Sequence, residues 1–105
     1  MYAEAWMRFE WDDAKARSNL IKHGVAFDVA IKVFDDPAAI SGHDRVVDGE
    51  ERWRTVGRIG FTTVFFVGHT WLDEDGEIYV RVITARKANR LEIQGYETGD
   101  EGYLG

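Results

Sequence analysis

Residues 62–85 read TTVFFVGHTWLDEDGEIYVRVITA, and the fold class turns on how this stretch is divided. Thr62 to Trp71 is rich in β-branched and aromatic residues and apolar at odd and even positions alike. That pattern predicts a strand covered on both faces, central in a sheet. Asp73-Glu74-Asp75-Gly76 predicts a hairpin turn, because aspartate and glycine tolerate the required backbone angles and clustered like charges prefer water. Glu77 to Ala85 is then the returning strand, with Ile78, Val80 and Val82 on one side and Tyr79, Arg81 and Ile83 on the other.

Upstream, Glu51 to Ile59 alternates in the same way. Trp53, Thr55 and Gly57 face one side; Arg52, Arg54, Val56 and Arg58 face the other. Ala38 to Gly42 reads as a weaker strand. The single proline, Pro37, ends what precedes it, since the residue before a proline avoids the α region. Phe9 to Trp11 is a short strand or lead-in. Asp12 is a good N-cap, Asp13 favours the first turn, and Gly24 supplies a left-handed stop after His23. In that helix Trp11, Ala14, Ser18 and Ile21 make one stripe, with Leu20 close by, and Lys15, Asn19 and Lys22 another. A shorter helix spans about Asp28 to Phe34. Downstream, a last helix is expected from about Arg86, with Thr84 as its cap and Gly95 as its limit. The result is an α+β domain: two N-terminal helices, an antiparallel sheet of about four strands and a C-terminal helix.

The 105 residues suit one domain with one core. Residues 1–6 read as an extension ahead of a second candidate start at Met7, and 98–105 as a frayed tail. Without cysteine there is neither a disulfide framework nor a thiolate metal site, which suits a reducing, cytoplasmic setting. No apolar run reaches the ~20 residues of a membrane helix. The net charge of −6 argues against coating nucleic acid by bulk electrostatics. The charge is uneven, however. Arg52, Arg54, Arg58, Arg81, Arg86, Lys87 and Arg90 lie in one region whose acids are confined to the 73–77 turn, and only acids follow Arg90.

Arg86, Lys87 and Arg90 at the start of a helix would oppose its dipole at ~0.3–1 kcal/mol each, a conflict typical of functional sites. Free N–H groups beside three cations make a phosphate site, unless these side chains pair with the acidic C-terminus or turn. Arg52, Arg54 and Arg58 share one strand face, with Arg81 on a neighbouring strand; arginine suits bidentate phosphate or carboxylate binding, and also plain solubility. His23 fits a helix C-terminus, His43 a polar loop without a role, and His69 a hydrogen-bonded core position. No metal-ligand spacing, phosphate loop or nucleophile elbow occurs, so no cofactor is expected. The four tryptophans, Trp6, Trp11, Trp53 and Trp71, read as core or partner anchors.

Taken in order, FEWDDAKARSNLIKHGV (Phe9 to Val25), VFDDP (Val33 to Pro37), GEERW (Gly49 to Trp53) with Val56-Gly57, TARKANR (Thr84 to Arg90) and Tyr96-Glu97 resemble the BrnT family of toxin–antitoxin proteins. The resemblance runs from Met7 to Glu97. It implies a RelE-like toxin, a metal-independent endoribonuclease that halts translation. It also implies a BrnA-like ribbon-helix-helix antitoxin, a toxin–antitoxin hetero-oligomer, and operator DNA contacted only through the antitoxin. The alternative is a catalytically degenerate module that binds an antitoxin or regulator without cleaving RNA.

Cleavage of this kind needs a base for the 2′-hydroxyl proton, an acid for the departing 5′ oxygen and cations for the phosphorane. Arginine serves only the last role. The family motifs, carried onto this chain, nominate Lys22 and His23 from KHG, Arg52 from GEERW, and Arg86 and Lys87 from TARK, with Arg81 added by spacing. Arg52, Arg81 and Arg86 would hold the phosphate; Lys22, His23 or Glu51 would move the proton. Arg54, Arg58, Lys87 and Arg90 would bind RNA around them.

Overall fold

The structure, a computed structural model, describes residues 7–100. The extension expected over 1–6 (with Trp6) lies outside the described residues, and so does the part of the expected 98–105 tail beyond Asp100; Thr98 itself closes the last helix. Strand β1 (Met7–Glu10) leads into helix α1 (Asp13–His23), a single-turn helix α2 (Phe27–Ala30) and a 3-10 turn (Ile31–Asp35). Then come β2 (Ile40–Val47), β3 (Glu50–Ile59), β4 (Thr63–His69), β5 (Leu72–Glu74), β6 (Glu77–Lys87) and helix α3 (Arg90–Thr98). No helix among the described residues is long and apolar enough to cross a membrane.

The sheet has six strands in the order β1-β6-β4-β3-β2, with β5 also on β6. This corrects the expected four. Leu72–Glu74 becomes a strand because the turn tightens to two residues, Asp75 and Gly76, with φ of 54° and 80°. Positive φ at both positions is the twist that a two-residue hairpin needs. Asp48 and Gly49 (φ 51° and 81°) do the same between β2 and β3, carrying β2 to Val47 instead of stopping at Gly42. Nor is the sheet wholly antiparallel: β1 runs parallel to β6, Met7 opposite Ile78 and Glu10 opposite Arg81. Such a pairing depends on a distant crossover, which local sequence does not carry.

The last helix also differs from expectation. Arg86 and Lys87 finish β6, and α3 starts at Arg90. Asn89, not Thr84, is the cap: its side chain accepts from the Glu92 N–H while Glu92 accepts from the Asn89 N–H, a capping box. The helix passes through a buried Gly95 and ends at Gly99 in the left-handed conformation. At the other end of the chain Asp12 caps α1 through the Lys15 N–H, and Gly24 (φ 72°) stops it, as expected.

Neighbouring strand residues point to opposite faces, so the two cores lie on opposite sides of the sheet. One side packs Val67, Val82 and Ala85 under Val25 after α1, Phe27 and Ala30 of α2 and Val33 of the 3-10 turn. The other packs Ile40, Val56, Val64 and Phe66 under Ile93 and Tyr96 of α3. Helix α1 is not held by the stripe expected of it. Ile21 is 87% exposed and Ala14 and Ser18 face solvent; the buried residue is Asn19. Its carboxamide donates to Val25 O (3.0 Å) and Ala85 O (2.8 Å) and accepts from Ala85 N (3.0 Å) and the Thr84 hydroxyl (3.1 Å). Since β1 pairs β6 only up to Arg81, this side chain takes the place of a neighbouring strand at Ala85.

Candidate functional site

Strand register builds the site. Phe66 of β4 lies between Val56 of β3 and Arg86 of β6, and Gly68 lies between Arg54 and Thr84. These rungs share the face that α3 covers in part. A Cβ on Gly68 would stand 2.8 Å from Thr84 Cγ2, so the glycine keeps the floor low at this point. Above it opens a hollow of about 220 Å³ with Arg52, Arg86, Arg45 and Thr84 in its wall. Arg45 reaches it through an irregularity in β2 between His43 and Arg45, which sets Arg45 opposite Arg52.

A second hollow, of about 270 Å³, is lined by Lys15, Ser18, Asn19, Lys22 and His23 of α1. It shares Ile83 and Thr84 with the first. The Asn19 bonds to Thr84 and Ala85 therefore fix where Lys22 and His23 stand relative to the arginines. Taken together, the two hollows are lined by the cations Lys15, Lys22, Arg45, Arg52 and Arg86 and by the carboxylate Asp44.

Carboxylates stand behind several of these cations. Glu92 takes Arg86 in a two-pronged pair, Nη1 to Oε1 at 2.8 Å and Nη2 to Oε2 at 2.9 Å. The guanidinium also lies over the Phe66 ring, 4.1 Å from its centroid. Burial pushes the Glu92 carboxyl up, but the bonds from Arg86 and the Asn89 N–H outweigh this and hold it below the usual range. Glu50 bridges Arg81 and Arg52, its Oε1 accepting from Arg81 Nη2 and lying 3.3 Å from Arg52 Nε, where it forms an ion pair but not a hydrogen bond. Arg81, with Arg52 assisting, keeps Glu50 low. Arg54 lies 3.7 Å from Asp44.

The expected site residues thus divide. Arg52 and Arg86 meet in one hollow, Lys22 and His23 in its neighbour, and Arg54 lies beside Gly68 on the same face. Arg81 and Glu51 line a separate hollow of about 340 Å³ with Glu10, Glu50 and Tyr79. Glu51 itself is exposed, 3.5 Å from His43. Arg58 is at the far end of β3, its backbone N–H on Asp36 and its guanidinium over Tyr96, whose hydroxyl donates to the same carboxylate at 2.6 Å. Lys87 is exposed at the end of β6, and Arg90 is exposed on the first turn of α3, outside both hollows. Sequence reasoning missed Arg45, Thr84 as wall rather than cap, and Gly68 as floor; nothing local marks them.

His69 is the core histidine expected. It is fully buried, and burial lowers its pKa to about 4. Nδ1 lies 2.8 Å from Thr70 O, which can only accept, so Nδ1 carries the proton. Nε2 then accepts from the Thr55 hydroxyl at 2.8 Å, and Thr55 accepts from Ser41 at 2.8 Å. Among the described residues no group of three or more His, Asp or Glu side chains is gathered to hold a metal ion.

The model of the family described as "Ribonuclease toxin, BrnT, of type II toxin-antitoxin system" matches residues 11–92. The chain belongs to the BrnT family. Membership in that family makes it a ribonuclease toxin of a type II toxin–antitoxin system, with an antitoxin as partner. The fold agrees. The crystal structure of the Brucella abortus ribonuclease toxin BrnT superposes with a TM-score of 0.57 at 22% identity, covering 80% of this chain and 99% of that one. No curated protein matches the chain in sequence. The family match takes in both hollows, from Lys15 on α1 to Glu92 on α3 of this BrnT-family chain.

Proposed function

We propose that this BrnT-family chain is a metal-independent endoribonuclease whose scissile phosphate lies between Arg52 and Arg86, with Lys22 and His23 across Thr84 moving protons. One observation carries the reading: two hollows on different elements share a wall at Ile83 and Thr84 and gather five cations against one lining carboxylate. The RNA 2′-oxygen attacks the adjacent phosphorus as its proton passes to a base. The bond to the 5′ oxygen breaks as an acid protonates it, leaving a 2′,3′-cyclic phosphate and a 5′-hydroxyl. The arginines stabilise charge on the phosphorane.

Two expected roles change. Arg81 pairs with Glu50 and would act by holding that carboxylate beside Arg52, while Glu51 lines the other hollow with Arg81, so this reading assigns the proton to Lys22 and His23 instead. RNA binding, a RelE-like mode of halting translation, and capture by a BrnA-like ribbon-helix-helix antitoxin that alone touches operator DNA complete the proposal.

The Glu92 and Glu50 pairs favour a second reading, in which neutralised arginines leave a module that binds its antitoxin without cutting RNA. Incubating purified chain with RNA in excess EDTA separates the two. Cleavage giving cyclic-phosphate ends, reduced roughly 100-fold or more in R52A and R86A, is expected of the nuclease. Intact RNA together with a tight antitoxin complex would establish the module.

A further inference from the structure

We infer that Glu92 is a positioning residue for cleavage, gripping the end of the Arg86 guanidinium so that its other edge takes the phosphate. The inference rests on the phosphate role proposed for Arg86.

A guanidinium has two edges that can bind an oxyanion in parallel: the end, with Nη1 and Nη2, and the side, with Nε and Nη2. Glu92 occupies the end edge, and the second Nη1 hydrogen goes to Lys87 O at 3.2 Å. That leaves the Nε–H and the other Nη2–H, the two donors of the side edge, without a partner among the described residues. The Arg86 side chain is 31% exposed and lines the hollow shared with Arg52. Its plane is set from below by Phe66.

The alternative is that Glu92 plugs the site and must leave before RNA enters. The geometry opposes it. Glu92 Oε1 also accepts the Asn89 N–H, so swinging away would open the capping box that starts α3. The helix is held further along by the Tyr96 hydroxyl on Asp36. A carboxylate tied into its own helix start suits a clamp better than a gate.

Glutamine at the same helix position preserves a capping box. E92Q therefore keeps the helix start and removes the charged grip on Arg86. The experiment measures cleavage of an RNA oligomer by the unaltered chain, E92Q, R86A, R86K and the R86A/E92Q double variant, with melting temperatures alongside. Misaim of a reacting group costs up to about 100-fold, so kcat in E92Q should fall roughly 10- to 100-fold while KM changes little. In the R86A background E92Q should cost nothing more. R86K, which keeps the charge without the fork, should lose nearly as much as R86A. A faster E92Q would establish the plug and overturn the clamp. An equal loss with and without Arg86, or a fully active R86K, would also overturn it. If R86A itself cleaves like the unaltered chain, the phosphate assignment fails first, and the clamp with it.

Discussion

Replacing Asn19 by alanine probes the joint on which the site's geometry depends. In N19A the N–H and C=O of Ala85, a residue with no exposed surface, lose their partners, and Val25 O and the Thr84 hydroxyl lose theirs. A buried polar group left unpaired costs about 1–3 kcal/mol. Counting only the two Ala85 groups in full gives about 2–6 kcal/mol, a large part of the ~5–15 kcal/mol that holds a domain this size together. At about 4–8 °C per kcal/mol, the melting temperature should drop by roughly 10–50 °C. Thermal unfolding followed by circular dichroism, paired with urea titration, measures it. Below its melting point N19A should also cleave RNA more slowly, because Lys22 and His23 lose their fixed distance from Arg86. A melting temperature within a few degrees of the unaltered chain would show that water or a shifted α1 satisfies Ala85, and the reasoning would fail.

Two further outcomes follow from the cores. His69 has a folded pKa of about 4 against an ordinary value of 6.5, so the unfolded chain takes the proton first as pH falls. Its contribution is complete above about pH 6.5 and is lost progressively towards pH 4, up to about 3 kcal/mol, at a slope near 1.4 kcal/mol per pH unit; a His69→Gln variant melted across that range should lack this slope. Gly57→Ala sets a Cβ 3.0 Å from both Val33 Cβ and Val33 O, so the Val33 backbone would have to give by a few tenths of an ångström. It should cost about 1–3 kcal/mol by denaturant titration, and a neutral result would mean the 3-10 turn is not seated on β3 as described.

Much of the fold was legible where local chemistry decides it. Asp12 and Gly24 bound α1, and the central β4–β6 hairpin follows from its composition and its Asp-Gly turn. Asp48-Gly49 carries the same turn signal between Val47 and Glu50, and weighing it would have given the full length of β2. The start of α3 differs from the sequence expectation for a physical reason. Three cations in a first helical turn read as strain held for function. The conflict instead meant that Arg86 and Lys87 are not helical, and Asn89-x-x-Glu92 is the true start signal. The pairing of a TARK-segment cation with the acidic C-terminal region is realised by Arg86 with Glu92. Asn19 could not be found by periodicity, since its burial depends on a stretch of β6, some 66 residues away, that β1 does not reach. The parallel place of β1 likewise depends on strand order, which no local pattern encodes.

Location is what everything functional depends on, and amide NMR reads it directly. The chain, isotopically labelled, is titrated with a short RNA blocked by 2′-O-methyl groups so that it binds without being cut. We expect the resonances of Lys22, His23, Arg52, Thr84 and Arg86 to shift together, while those around Asp35 and Gly60 and around Glu10 and Tyr79 stay in place. Shifts confined to either of those other surfaces, or none at RNA concentrations that saturate the cleavage reaction, would contradict a phosphodiester seated between Arg52 and Arg86.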